Sequence, residues 1–244
     1  MSPKILICLE FWEGDKAQSM QLARFIADLQ PGRCDSADFL FVSRFDCSQD
    51  AETIKYVARK FNVHHYRSPK SGTGWPHGCN ELWFGAMEWI YHMIEAKKVP
   101  QYKAIFTIEG DGLPLQSNWI VDFSRKWDEL NAIKPVYVAG AILNPGEDGE
   151  HVNGQAFFSG DLRFLFWIVK RINGAPSNCG WDYWLRKDFA RWGQAQMPGL
   201  RCYWGTKTFS QEQYEQEQRD GTVWLHGVKD NSLYSMSRKK LLNV

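Results

Sequence analysis

Residues Ala104 to Pro114 read AIFTIEGDGLP. Ala104, Ile105, Phe106 and Ile108, interrupted only by Thr107, make a short apolar run suited to a buried strand. Glu109, Gly110 and Asp111 follow directly, with Gly112 and Pro114 closing the turn. Two carboxylates therefore leave the carboxyl end of a strand. In an open α/β sheet that edge is where ligands bind, so an acid-x-acid turn there is placed to hold a divalent cation and, through it, a phosphorylated ligand. A plainer part, an acidic cap on the next helix, fits the same residues, and the rest of the chain must separate the two.

Working upstream, Lys4 to Leu9 (KILICL) is an apolar run for a central strand, followed by a helix from about Lys16 to Leu29 that Pro31-Gly32 ends. Asp38 to Ser43 is a second strand, Ala51 to Phe61 a second helix and Val63 to Tyr66 a short third strand. This β-α-β-α-β order, with short right-handed connections, predicts a mostly parallel α/β sheet with helices on both faces. Ser68 to Gly78 (SPKSGTGWPHG) is a loop leading into a long helix over Cys79 to Lys97, whose amino terminus offers backbone amides to phosphate. No G-x-x-x-x-G-K-[ST] or G-x-G-x-x-G is present, which weakens a P-loop kinase or dinucleotide dehydrogenase reading.

Downstream, Ser117 is expected to cap a helix to about Leu130, with strands over Val136 to Ala141 and His151 to Ser159. Helices follow over Asp161 to Ile172 and Trp181 to Trp192, and short strands over Leu200 to Trp204 and Thr222 to His226. Between those strands, Gln211 to Arg219 is polar on every face and reads as a solvated helix. No repeat, low-complexity linker or charge break divides the chain, so residues 1–244 are expected to form a single domain.

Composition narrows the class. The 244 residues are 44% hydrophobic and 23% charged, enough to bury a sizeable core, and a net charge of +1 argues against a uniformly basic nucleic-acid binder. Six cysteines lack CxxC spacing and read as reduced thiols. No run of about 18 apolar residues exists, so a cytoplasmic protein without a membrane association is expected. Twelve tryptophans pack cores but also stack on sugars and bases.

Trp224 to Asp230 (WLHGVKD) is the second informative stretch. His226 follows an apolar run, Gly227 permits close backbone approach, and Lys229 lies three residues beyond the imidazole. Carboxylate oxygens and an imidazole around a metal, beside a lysine, suit a bound diphosphate. A histidine at a strand end also serves structure alone.

Taken together, the β-α-β-α-β start, the strand ending in acid-x-acid, the Asn153-Gly154 segment, the acid Asp182 on a later helix and the final His-Gly-x-Lys resemble the GT-A fold of sugar-nucleotide-dependent glycosyltransferases. The resemblance covers nearly the whole chain. It implies a Rossmann-like domain with a nucleotide-binding half (1–115) and an acceptor-binding half (116–244). The family's D-x-D motif falls on Glu109, Gly110 and Asp111, with Asp111 and His226 as direct ligands of Mn2+ or Mg2+ and Glu109 reaching the metal through water or contacting ribose. Gly227 and Lys229 would meet the diphosphate of a UDP-sugar, although the spacing to Lys229 departs from the family by one residue. Leu9, Glu10 and Phe11 would lie against the nucleobase, and Asn80 near the nucleotide or donor sugar. Asn153, Gly154 and Trp181 would line the donor or acceptor pocket. Asp182 takes the position of the catalytic base of inverting members; an acid favoured by a helix amino terminus fits it too.

For the acceptor, the resemblance implies a carbohydrate or glycoside, or a hydroxymethylated pyrimidine in double-stranded phage DNA. Lys97-Lys98, Arg186-Lys187, Arg238-Lys239-Lys240, Trp75 and His77 could serve the latter. A sugar nucleotidyltransferase, a non-catalytic carbohydrate-binding protein and a metal hydrolase remain as competing classes.

Overall fold

A computed structural model describes residues 4–48, 50–147, 149–203, 208–227 and 229–243. Seven strands form the main sheet in the order β3-β2-β1-β4-β7-β6-β8. They are β1 (Ile5–Phe11), β2 (Ala37–Arg44), β3 (Asn62–Ser68), β4 (Ala104–Ile108), β6 (Val138–Leu143), β7 (His151–Ser159) and β8 (Gln194–Gln196). β7 runs against both neighbours, and the other pairings are parallel. The expected α/β sheet, mostly parallel and in one domain, is what the chain forms.

Both faces of that sheet are covered, which is why its central strands are nearly continuous apolar runs. Ile5, Ile7, Leu9 and Phe11 of β1 face one core, with α1 (Lys16–Asp28), α2 (Ala51–Ala58) and α4 (Trp119–Ile133). Leu6 and Cys8 face the other, with α3 (Cys79–Glu95) and α5 (Leu162–Arg171).

A second, three-stranded sheet positions the site. β5 (Gly112–Pro114), β10 (Trp224–His226) and β9 (Leu200–Cys202) lie in the order β5-β10-β9. β5 and β10 are antiparallel, with Gly112 opposite His226, Leu113 opposite Leu225 and Pro114 opposite Trp224. Gly112 to Pro114, expected to close a turn, is therefore a strand. Its edge groups are used by β10, a partner more than a hundred residues away in sequence.

Other boundaries differ from expectation for local reasons. α4 begins after Asn118, not Ser117. The helix expected over Trp181 to Trp192 is two, α6 (Trp181–Trp184) and α7 (Arg186–Trp192), meeting at the buried Leu185. α8 (Gln211–Arg219) is polar, but one strip is buried: Tyr214 joins the core and Glu217 accepts from Thr222 Oγ1 at 2.5 Å. The strand expected over Leu200 to Trp204 is β9; Trp204 lies outside the described residues. Two elements without a sequence expectation, β8 and α9 (Ser232–Leu242), complete the structure.

Candidate functional site

β4 and β7 pair as far as Phe106 opposite Phe157, and there they part. Thr107 takes over from the ladder: its Oγ1 donates to Gly154 O at 2.8 Å, with Ala156 O 3.2 Å away. The parting strands leave a gap between the Glu109-Gly110-Asp111 turn and the Asn153-Gly154 backbone. Gly110 is packed against α1, where a Cβ would stand 2.7 Å from Ser19 Oγ, so the turn can lie this close only with glycine there.

The β5–β10 register then places the imidazole. Because Gly112 faces His226, the turn and the residues after β10 become neighbours, and Gly227 N donates to Asp111 O at 3.3 Å. Gly227 has φ +95°, a conformation that favours glycine. His226 Nε2 lies 3.3 Å from Asp111 Oδ1 and 3.7 Å from Glu109 Oε2. Lys229 Nζ donates to Asp111 Oδ2. On the far side of the ring, Nδ1 lies 3.5 Å from Cys202 Sγ.

Glu109, Asp111 and His226 each offer one ligand atom, and those atoms lie within 4.8 Å of one another. His226 Nε2 is fully buried and, among the described residues, has no hydrogen-bond partner. A buried ring nitrogen that faces two carboxylates at ion-pair distance, without a hydrogen bond of good geometry to either, is placed as a cation ligand would be. Two oxygens and a nitrogen suit Mn2+ or Mg2+, and three protein ligands leave positions for water and phosphate oxygens. The residues present therefore fit a divalent cation. Glu109, expected at one remove from the metal, stands in the same group as Asp111.

The electrostatics match this grouping. Burial works against the charge on Asp111, but His226 and Lys229 outweigh it and bring its carboxyl down to about 2. Burial likewise opposes a proton on His226, yet Asp111, Cys202 and Glu109 raise it well above the usual imidazole range. A bound cation would take that proton's place. Asp15, at the start of α1, is pushed up to about 6 by burial, with Glu109 and Asp111 adding to the rise.

A cleft of about 380 Å³ opens beside the cluster, lined in part by Trp75, Glu109, Asn153, Gly154, Trp181, Asp182, His226 and Lys229. All of these but Trp75 are among the candidate site residues singled out in the sequence, and they are half of that set. Trp181 is stacked on Trp83 at 3.8 Å between ring centroids, which fixes its plane. Asp182 lies 3.9 Å from His151 Nε2; burial raises its carboxyl above the usual range, with His151 opposing.

Other expected residues stand elsewhere. Leu9 and Phe11 are buried in the core, Phe11 edge-on to Phe41, so Glu10 is the member of that trio outside the hydrophobic cluster. Burial, and then Glu109, push the Glu10 carboxyl well up. Asn80 does not reach the cleft. Its Nδ2 donates to Cys179 O at 3.0 Å and Pro176 O at 3.2 Å, and its Oδ1 accepts from Trp181 N at 2.7 Å. Its amide is used up in pinning the loop before α6 to α3, so any effect on a ligand passes through Trp181.

Sequence reading missed Gln155, Cys202, Asp15 and His151. Cys202 and His151 meet their partners only through tertiary pairing. Gln155 carried a usable signal, a glutamine in the middle of an apolar strand next to Asn153-Gly154.

No protein-family model matches the chain, and no curated protein matches it by sequence. Solved structures do. A glycosyltransferase involved in glycosylation of the major capsid of PBCV-1 is 12% identical with a TM-score of 0.53, covering 98% of this chain and 100% of that one. The galactosyltransferase LgtC, solved with donor and acceptor sugar analogs, is 9% identical with a TM-score of 0.54, covering 98% and 95%. Mouse xyloside xylosyltransferase 1 is 10% identical with a TM-score of 0.50, covering 94% and 99%. None of the three is named for action on DNA, and the expectation of a phage DNA-modifying member gains nothing from them. At such identities the likeness is one of architecture. Over nearly its whole length, the chain has the GT-A glycosyltransferase fold.

Proposed function

We propose that this protein is a metal-dependent glycosyltransferase that moves a sugar from a nucleoside diphosphate sugar, UDP-linked, to a hydroxyl of a glycan or glycoside. The observation that carries this reading is the meeting of Glu109, Asp111 and the buried His226 Nε2 beside a cleft lined by Glu109, His226, Lys229 and Asp182. When bound there, Mn2+ or Mg2+ supplies Lewis-acid stabilisation of the departing diphosphate.

The chain's own residues divide the remaining work. Lys229 has a side chain 57% exposed, so its ammonium can swing from Asp111 to phosphate oxygens. Glu109, 47% exposed, faces the open side and can ligate the cation or meet the ribose. Asp182, with its carboxyl raised by burial, is suited to accept the acceptor hydroxyl's proton as that oxygen attacks the anomeric carbon. Trp181, and Trp75 with 72% exposure, offer indole faces to sugar rings. A glycan is favoured over a DNA duplex because Lys97-Lys98, Arg186-Lys187 and Arg238-Lys239-Lys240, the basic groups a phosphate backbone would need, do not line the cleft.

The test is incubation with a panel of nucleotide sugars, Mn2+ and simple glycosides, read by mass spectrometry. The expected products are a glycoside heavier by one sugar and a free nucleoside diphosphate, both lost on chelation. Release of pyrophosphate would assign nucleotidyl transfer instead, and binding without turnover would assign a carbohydrate-binding protein.

A further inference from the structure

Gln155 reaches the site from inside the core. It sits in β7 on the face that also carries Phe157, and none of its surface is open to solvent. The neighbourhood is aromatic: Phe106 stacks on Phe157 at 4.1 Å and meets Trp224 edge-on at 5.0 Å. An amide buried there costs free energy unless both of its ends are bonded. Both are. Trp224 Nε1 donates to Gln155 Oε1 at 2.9 Å, and Gln155 Nε2 donates to Asp111 Oδ1 at 3.3 Å.

The direction of this relay is forced. An indole N–H can only donate, so Oε1 must face Trp224 and the amino group must face the carboxylate; the flipped amide would set two donors head to head. Gly112 makes the room, since a Cβ there would stand 2.3 Å from Gln155 Oε1 and 2.8 Å from Trp224 Nε1. Gln155 of β7 and His226 of β10 thus converge on one oxygen of the acid-x-acid turn.

We propose that Gln155 is a positioning residue for the cation site, fixing the Asp111 carboxylate so that Oδ1 stays beside His226 Nε2. This rests on the reading of Glu109, Asp111 and His226 as cation ligands. A neutral donor suits the task. With Lys229 already on the other oxygen, a second cationic side chain in place of Gln155 would add a charge that opposes the cation. A leucine would fill the space and leave Asp111 free to turn.

The experiment measures Mn2+ affinity of the full chain without donor, by the electron paramagnetic resonance signal of free manganese. It compares the wild type with Asp111→Ala, Gln155→Leu, Trp224→Phe and the Gln155→Leu/Trp224→Phe double variant. Gln155→Leu is expected to weaken Mn2+ binding about 10- to 100-fold. In turnover assays the KM for Mn2+ should rise by the same factor, while kcat at saturating Mn2+ changes little. Trp224→Phe should weaken binding on its own but add little to Gln155→Leu, since both act through one amide. Wild-type affinity in Gln155→Leu, with binding lost in Asp111→Ala, would overturn the proposal and leave the cation site standing. A wild type that binds no Mn2+ would overturn both. Should Gln155→Leu fail to fold, Gln155→Met makes the same comparison with an unbranched side chain.

Discussion

Asp111 and His226 carry the site at the scale of single residues, and each is buried by the element that presents it. Replacing either with alanine is expected to cut metal-dependent turnover at least about 100-fold while circular dichroism stays native, because both side chains stand at the ligand edge of the sheet. Near-normal turnover in either variant would remove the cation assignment. Asp15 gives a prediction of the opposite kind. Its carboxyl is raised to about 6 from 3.8, so the folded state binds this proton more tightly than the unfolded chain. The charged carboxylate therefore weakens the fold above pH 6, and the penalty vanishes as pH falls below about 4, where both states are protonated. Asp15→Asn keeps the acceptor that Trp12 N uses at 2.9 Å and removes the charge. It should stabilise the protein at pH 7 to 8 by about 1 kcal/mol, discounted because the side chain is partly open to solvent. Thermal melts of both proteins at pH 8 and pH 4 check this: the gain should be present at the first and absent at the second.

At the scale of elements, the parting of β4 and β7 depends on Thr107, which supplies a hydroxyl where the backbone ladder stops. Thr107→Val keeps the shape and leaves Gly154 O without that donor, so a loss of about 1–3 kcal/mol is expected in denaturant unfolding. An unchanged midpoint would show that water replaces the hydroxyl. These elements also show what could be read in advance. The acid-x-acid turn and His226 were legible because each ends an apolar run, and apolar runs are local. β5 was not, because three residues holding a glycine and a proline look like a turn until β10 pairs with them. Asn80 was placed near the donor by the family resemblance alone, and the partners that claim its amide lie 96 to 101 residues away. Gln155 stands out as a glutamine in an apolar strand, but its role was not legible because its indole partner is 69 residues further on. α9 was missed because Leu233 and Ser237 are its buried positions, too few for a periodic pattern.

For the whole molecule, a net charge of only +1 conceals an uneven distribution. Glu10, Asp15, Asp111 and Asp182 gather around Glu109 at the carboxyl edge of the main sheet, and burial, then Glu109, Glu10, Asp15 and Asp182, push the Cys79 thiol up to about 12. Cation binding should relieve this crowding, so Mn2+ at a hundred times its Kd is expected to stabilise the wild type by about 2.7 kcal/mol. A melting-temperature rise reversed by chelator and missing in Asp111→Ala is the signature to look for. Among the described residues no helix is long and apolar enough to cross a membrane. The three-residue pairing of β5 with β10 also joins parts of the chain that are synthesised at different times. All seven strands of the main sheet have been synthesised by Gln196, whereas the imidazole and the ammonium that answer Asp111 have not. The nascent chain therefore carries its carboxylates uncompensated until β10 inserts between β5 and β9 as the middle strand of the small sheet. Scaffold comes first and ligand set last, so a chain halted short of Trp224 would own the frame of the site without the means to hold a metal.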